Sequence, residues 1–162
     1  MNKEEHITKQ YNLSDVDCHK GWFDLLKPLF EYVEKYNKDK EEDKQIKFIQ
    51  IKEKWSLLDV YTNFTTEELD YLIEEAKEKA KHTCEECGSV NDVGTKLNGW
   101  VCKMCLDCVK KEAANQNYPQ LWERYSDNKR FWIFPSGSVE KIEQIEENEE
   151  NMEVFPKNFW LI

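Results

Sequence analysis

The segment TCEECGSVNDVGTKLNGWVCKMCLDCVKK, residues 83–111, holds five of the six cysteines of this chain. Its first pair, Cys84 and Cys87, has C-x2-C spacing and is followed by Gly88. Two cysteines three positions apart on a tight turn can direct both sulfurs at one point, and the glycine lets the turn close. This pair therefore predicts one half of a four-thiolate metal site.

The second half has two candidate pairs, because Cys102, Cys105 and Cys108 form two overlapping C-x2-C spacings. Loops of 14 residues to Cys102 or 17 residues to Cys105 follow the first pair, and both suit a zinc ribbon or a treble-clef finger. Cys105 and Cys108 would occupy the first turn of a helix that continues as VKKEAANQ, where the helix dipole favours thiolate charge. Cys102 would then lie on a preceding strand. We predict that one structural Zn2+ is bound by Cys84, Cys87, Cys105 and Cys108, with Cys102 as the alternate ligand.

A site of four thiolates is closed, so it leaves no position for a water molecule or a substrate. Free buried thiols and a redox C-x2-C pair are the competing interpretations, and a redox pair would need a βαβ setting that the sequence lacks.

The neighbours Cys18 and His19 are a weak motif for a second site, since adjacent side chains rarely point at each other. No nucleotide-binding glycine loop, G-x-S-x-G or H-E-x-x-H motif occurs. The sequence therefore favours a protein that is not an enzyme.

Upstream of the cysteines, the apolar spacing predicts a helix, a hairpin and a second helix. Apolar residues recur at three and four positions between Gly21 and Tyr36, which is typical of an amphipathic helix. We place its N-cap at Asp24, so that Pro28 falls in the first turn, where proline costs little. The helix is expected to end near Tyr36.

The hairpin and the second helix complete an αββα unit. IKFIQIKEKW (46–55) and LLDVYT (57–62) are rich in β-branched and aromatic residues and predict two strands that turn near Trp55 and Ser56. In TTEELDYLIEEAKEKAK (65–81), Thr65 and Glu68 have capping-box spacing. The apolar face of this helix consists of Leu69, Leu72, Ile73, Ala76 and Ala80.

Beyond the cysteines, the sequence predicts a short helix and a β-rich extension. VKKEAANQ suits the helix, which Tyr118 and Pro119 end. FWIF (131–134), the turn PSG (135–137) and SVEKIEQI (138–145) predict a second hairpin, and NFWLI (158–162) predicts an aromatic strand or buried strap. The expected fold is α+β, with an αββα plus zinc-finger domain at 1–117 and a C-terminal β-rich extension packed on it at 118–162.

These motifs resemble a group of small phage and prophage zinc-finger proteins over about residues 18–112. The shared features are GWFDLL (21–26), IQIKEKW (49–55) with LLDVY (57–61), the acidic helix running into TCEECG, and Gly99-Trp100 before two ligand positions. The resemblance implies an αββα unit that leads into a zinc finger, with Cys105 and Cys108 as the last ligand pair and with no agreed activity. The chain departs from the group at Trp55 and Ser56, where Phe-Gly is usual, in the extra Cys102, and beyond residue 117.

Composition and charge narrow the class of protein. The 162 residues carry 33 acidic and 23 basic side chains, for a formal net charge of −10. Hydrophobic residues at 40% suffice for a packed core, and no stretch approaches the ~20 apolar residues of a membrane span. Six cysteines behind a charged amino terminus indicate a reducing compartment. We expect a cytoplasmic protein, in the host cell if it is phage-encoded.

The function that we expect is protein binding, as in a phage-type accessory protein that inhibits a host defence or nucleic-acid-processing protein. An acidic protein can occupy a basic groove that normally holds DNA or RNA. The candidate acidic surface comprises Glu140, Glu143, Glu146, Glu147, Glu149, Glu150 and Glu153. Candidate aromatic anchors are Trp122, Phe131, Trp132, Phe159 and Trp160, which are also candidates for the core.

The alternative is a nucleic-acid-binding zinc-finger regulatory module. Its basic and aromatic face would comprise Lys52, Lys54, Lys96, Lys103, Lys110 and Lys111 with Trp55 and Trp100. A net charge of −10 disfavours this alternative, because phosphates repel an acidic protein unless its basic residues are segregated.

Overall fold

The computed structural model describes residues 16–143 and shows a mixed α+β fold, so the predicted fold class is confirmed. The strands of the first sheet are β1 (Val16–Asp17), β2 (Phe48–Lys54) and β3 (Leu57–Thr62). Those of the second are β4 (Val93–Lys96), β5 (Cys102–Cys105), β6 (Gln120–Arg124), β7 (Arg130–Ile133) and β8 (Val139–Lys141). The α-helices are α1 (Phe23–Asn37), α2 (Glu67–Ala80) and α3 (Leu106–Gln116), and short 3-10 turns lie at Lys20–Trp22 and Glu42–Lys44.

Helix α1 begins two residues earlier than predicted. Its N-cap is Trp22, without a side-chain hydrogen bond, so the prediction of an Asp24 cap is wrong. The 3-10 turn before it runs directly into the helix and so supplies the backbone direction that a side-chain cap would otherwise have to stabilise. Asp24 therefore lies inside the first turn, and Pro28 lies in the second.

The predicted hairpin and second helix are both present. Strands β2 and β3 pair antiparallel with Lys54 opposite Leu57, and the two residues between them, Trp55 and Ser56, have φ of 53° and 66°. Two left-handed residues define a type I′ turn, which matches the twist of the strands. Helix α2 is capped by Thr66, whose hydroxyl accepts the Leu69 N–H at 3.1 Å, one residue from the predicted cap at Thr65.

The amino-terminal region, residues 16–80, is built around one apolar core. Helices α1 and α2 pack on each other, and α2 packs on β3. The rings of Phe30 and Phe48 meet edge to face, with centroids 5.3 Å apart. The predicted apolar face of α2 is buried at Leu69, Ile73, Ala76 and Ala80, and Leu72 packs partly buried against it. This is the αββα unit that the sequence predicts, with β1 added parallel to β2 at its edge.

The carboxyl-terminal region, residues 84–143, is built on a five-stranded antiparallel sheet of order β5-β4-β6-β7-β8. The sequence predicts the β7–β8 hairpin, and the structure confirms it as far as residue 143. Strands β4 and β6 were missed, and they pair with Gly94 opposite Arg124. Residues after 117 thus continue the sheet of the cysteine segment, while NFWLI lies outside the described residues.

Gly21 joins the two regions. Its N–H donates to the Glu85 carbonyl at 2.7 Å, and a Cβ here would overlap the carbonyl oxygens of Cys84 and Glu85. The indole N–H of the fully buried Trp22 donates to the Thr83 carbonyl at 2.9 Å. Glycine is required because the two backbones approach too closely for any side chain. The cysteine turn is therefore held against the start of α1.

Candidate metal centre

The first cysteine pair lies on a tight turn that leaves helix α2. The Gly88 N–H donates to the Cys84 carbonyl at 2.9 Å, and the Cys84 N–H donates to the Ser89 carbonyl at 2.8 Å. Gly88 has φ of +82°, a left-handed conformation that glycine adopts without strain. The turn therefore presents both sulfurs on one side.

The second pair lies where β5 passes into helix α3. Cys105 is the last residue of β5 and the N-cap of α3, and Cys108 lies in the first turn of that helix. Strands β4 and β5 place this pair opposite the first, with Val93 paired to Cys105. The order of turn, hairpin and helix brings together the four cysteines that the sequence selected.

The four sulfurs are close enough to share one ion. The Sγ atoms of Cys84, Cys87, Cys105 and Cys108 all lie within 4.8 Å of one another. The Cys87 and Cys105 sulfurs are 3.7 Å apart, too far for the ~2.05 Å of a disulfide. Sulfurs held ~2.3 Å from one tetrahedral ion would lie about 3.8 Å apart. The cluster can therefore hold a metal ion with only small adjustments.

Electrostatics also favour a cation among these thiols. Burial raises the pKa of Cys105 to about 11 and raises that of Cys108. The pKa of Cys87 is lowered instead, because a hydrogen bond from the Ser89 backbone and contacts with the neighbouring thiols outweigh the effect of burial. Four adjacent thiols cannot all ionise in a buried site unless a positive charge compensates them. A divalent cation supplies that charge.

Cys102 lies outside this cluster. It is 6% exposed on β5, where burial raises its pKa to about 12. It pairs with Lys96 on β4, whose Nζ atom forms an ion pair with Glu112 at 2.7 Å. Cys102 is thus a protonated core thiol beside the centre.

Glu85 and Glu86, which lie between Cys84 and Cys87, contact the amino-terminal region. The spacing of the cysteines did not predict these contacts. Glu85 is 3% exposed, and its Oε1 accepts the His19 backbone N–H at 3.1 Å. Its Oε2 is buried without a hydrogen-bond partner among the described residues. Burial raises the pKa of Glu85 to about 7, against the effect of that hydrogen bond. Glu86 contacts the His19 ring, with 2.6 Å between Oε2 and Nδ1.

Cys18 and the histidines of the described residues lie outside the cysteine cluster. His19 faces Glu86, and Cys18 is buried in the amino-terminal core, so residues 16–143 contain no metal cluster of these two. His82 is half exposed, stacks edge to face on Tyr125 with centroids 4.4 Å apart, and lies at the end of α2. His6 lies outside the described residues.

The structure shows which of the aromatic, basic and acidic residues predicted for a binding surface are exposed. Trp122 is 1% exposed and Trp132 is 3% exposed, so both belong to the core and cannot anchor a partner, while Phe131 is partly buried. Lys96 and Lys103 are also buried, which removes two lysines from the predicted basic face. Glu140 and Glu143 are exposed. The other members of the acidic surface, with Phe159 and Trp160, lie outside the described residues.

Two tryptophans of the described residues are exposed instead. Trp55 is 74% exposed and Trp100 is 66% exposed, and both line one cleft of about 320 Å³ together with Glu53, Lys54, Gly99 and Val101. The sequence placed both tryptophans on a candidate face but gave no reason to set them across one cleft. Their proximity arises because the hairpin turn of the first sheet and the β4–β5 loop of the second meet there.

Comparisons with known proteins give no family for this chain. No family model, no curated protein and no solved structure matches it. Within residues 16–143, no helix is long and apolar enough to cross a membrane. The site must therefore be interpreted from its own chemistry.

Proposed function

We propose that the cluster binds one structural Zn2+ in a treble-clef arrangement, and that the chain is a protein-binding accessory protein of the phage type. In this proposal Cys84, Cys87, Cys105 and Cys108 are the ligands, and the ion links the turn after α2 to the start of α3. Zinc suits the donor set because thiolates in tetrahedral geometry are its preferred structural ligands. The ion would supply folding free energy and charge compensation.

A structural role follows from the closed donor set. Four sulfurs complete the tetrahedral coordination of zinc, and catalytic zinc sites keep one position for water or substrate. The chain around the cluster is also fixed, by the turn at Gly88 and by the backbone contact of Gly21 with Glu85. The centre therefore positions surfaces, and the function is expected at a surface.

The observation that carries protein binding is the exposure of Trp55 and Trp100 on one cleft. Tryptophan is the residue most enriched among binding hot spots, because its large ring buries much apolar area at low entropic cost. Exposing two such rings to water is unfavourable in the isolated chain. A partner that covers them would recover this free energy.

The acidic character supports a basic partner, such as a host defence or nucleic-acid-processing protein that the chain would inhibit. The net charge of −10 favours association with positive surfaces. The alternative of nucleic-acid binding would use the remaining lysines of the predicted face, Lys52, Lys54, Lys110 and Lys111, of which Lys54 lines the cleft with both tryptophans. It is weakened because Lys96 forms a buried ion pair with Glu112, and Lys103 donates to the Thr95 hydroxyl at 2.9 Å.

Affinity capture tests this proposal. The tagged, zinc-loaded chain is incubated with host and phage-infected lysates, with and without nuclease, and bound proteins are quantified by mass spectrometry. We expect a stoichiometric protein partner that survives nuclease treatment. Recovery of nucleic acid, or of proteins that disappear with nuclease, would contradict protein binding and favour the nucleic-acid alternative.

A further inference from the structure

The cleft between Trp55 and Trp100 contains more than apolar surface. Glu53 lines it from strand β2, although this side chain is only 8% exposed. Its Oε1 accepts the Ser56 backbone N–H at 2.5 Å, which fixes the carboxylate at the base of the hairpin turn. No hydrogen bond engages its other oxygen among residues 16–143. The cleft thus combines two aromatic faces with one anchored carboxylate.

Tryptophan is an unusual residue for the backbone position that Trp55 occupies in the type I′ turn. Its φ of 53° lies in the left-handed region, where the first residue of a type I′ turn is normally Asn, Asp or Gly. A bulky side chain is strained there, and the ring of Trp55 is 74% exposed, so core contacts do not compensate. Backbone strain that local packing does not repay is characteristic of functional positions.

The charges around the cleft favour a cation over an anion. Glu53 is the one carboxylate among the residues that line the cleft, and its side chain is almost fully buried. The one cation on the lining is Lys54, an exposed residue whose flexible side chain can extend into solvent. A partly desolvated carboxylate therefore dominates the interior of the cleft.

We propose that Trp55, Trp100 and Glu53 form a clamp for a cationic side chain, arginine or lysine, on a basic protein partner. Tryptophan faces attract guanidinium and ammonium groups more strongly than other aromatic rings do, and the carboxylate supplies the counter-charge. The net charge of −10 draws a basic partner toward this surface and opposes the phosphates of a nucleic acid. This inference rests on the proposed function and specifies the chemistry of its partner.

The test uses two peptides of equal length and the zinc-loaded full chain. One peptide alternates glycine with arginine over eight residues, and the other carries citrulline in place of arginine, which keeps the shape and removes the charge. Titration by calorimetry is expected to show at least about 10-fold weaker binding of the citrulline peptide. Equal binding of both peptides, or no binding of the arginine peptide at millimolar concentration, would overturn the clamp.

Single-residue variants test whether the arginine peptide binds in this cleft. Trp55→Gly removes the ring and relieves the left-handed strain, so it should fold at least as well as the parent. Glu53→Gln keeps an oxygen for the Ser56 N–H and removes the charge. Each variant is expected to lower the affinity for the arginine peptide about 10-fold. The control is Tyr71→Ala, which removes a 65% exposed ring from α2 and should leave this affinity unchanged. An unchanged affinity in Trp55→Gly would overturn the proposal.

Two further outcomes separate this proposal from its alternatives. If an eight-nucleotide oligothymidylate binds and Trp55→Gly abolishes that binding, the cleft stacks bases and the clamp is wrong. If a lysate partner survives nuclease and is captured equally by the parent and by Trp55→Gly, the proposed function stands and the clamp fails. If no partner survives nuclease, the proposed function itself fails.

Discussion

The two regions of this molecule obtain their stability in different ways. The amino-terminal region has 16 buried core residues, nearly all hydrocarbon, and none of the four clustered cysteines is among them. The carboxyl-terminal region has 11, including Trp132, and four of these are cysteines. A small core seldom stabilises a sheet alone, and natural proteins then add a metal or a disulfide. We therefore expect that apolar burial folds the first region and that the proposed zinc is needed to complete the second.

The largest effect is expected from Cys87→Ser. Cys87 is exposed, so the change removes almost no packing, but a structural zinc contributes ~10 to 16 kcal/mol in small peptides. We expect loss of stoichiometric zinc and of ordered structure in β4–β8. The matched control is Cys102→Ser, which alters a buried thiol outside the cluster and should retain one zinc per chain. Metal analysis measures the zinc content of each variant, and hydrogen exchange measures the order of β4–β8. Zinc retained in both variants would contradict the ligand assignment.

The amino-terminal region should be sensitive to cavities instead. Leu26 is fully buried in its core, so Leu26→Ala is expected to lower the free energy of unfolding by about 3 to 5 kcal/mol. Zinc content should stay at the parent level, because α1 contributes no ligand. Urea unfolding and metal analysis measure the two quantities. Loss of zinc in the folded variant would show that the regions are not separable as described.

Gly21→Ala tests the contact between the two regions. The added methyl group would overlap two backbone carbonyls, so we expect a loss of about 2 to 3 kcal/mol as the backbones separate. Gly137→Ala is the control, since its φ of +91° is also unfavourable for alanine but open space surrounds it. That change should cost about 1 kcal/mol. Equal losses in denaturant unfolding would mean that the close approach at Gly21 contributes nothing.

The smallest effect concerns the cap of α2. Thr66→Ala removes the hydroxyl that accepts the Leu69 N–H, and we expect about 1 kcal/mol of destabilisation. Thr65→Ala changes the neighbouring threonine and should be nearly neutral. Thermal unfolding of both variants compares the structural cap with the cap predicted from sequence. A larger loss at Thr65 would support the capping box that the sequence suggested.

The amino-terminal region could be predicted because its apolar residues follow helix and strand periods. The errors there are local: α1 continues from a 3-10 turn, which moves its start to Phe23, and Thr66 rather than Thr65 caps α2. In the second region, β4 and β6 are four and five residues long and carry buried polar side chains such as Lys96 and Gln120. The partner of Lys96, Glu112, lies 16 positions away in sequence, and β4 pairs with β6 across the whole of α3, so no local pattern predicts these strands.

The candidate site could also be predicted only in part. Spacing predicted four cysteines for one cluster, since a C-x2-C turn has few geometries. It did not reveal that Glu85 is buried against His19, or that pairing of β4 with β6 buries Trp122. Nor did it show Trp55 and Trp100 across one cleft, because that contact depends on how two sheets meet.

Hydrogen exchange of the full chain before and after zinc removal by a chelator shows whether the two regions depend differently on the metal. We expect one zinc per chain at the start. After chelation, amides of β4, β5 and α3 should lose protection while those of α1, α2 and the β2–β3 hairpin keep it. Persistent protection of β4 and β5 in metal-free protein would contradict the account, as would simultaneous loss of protection in both regions.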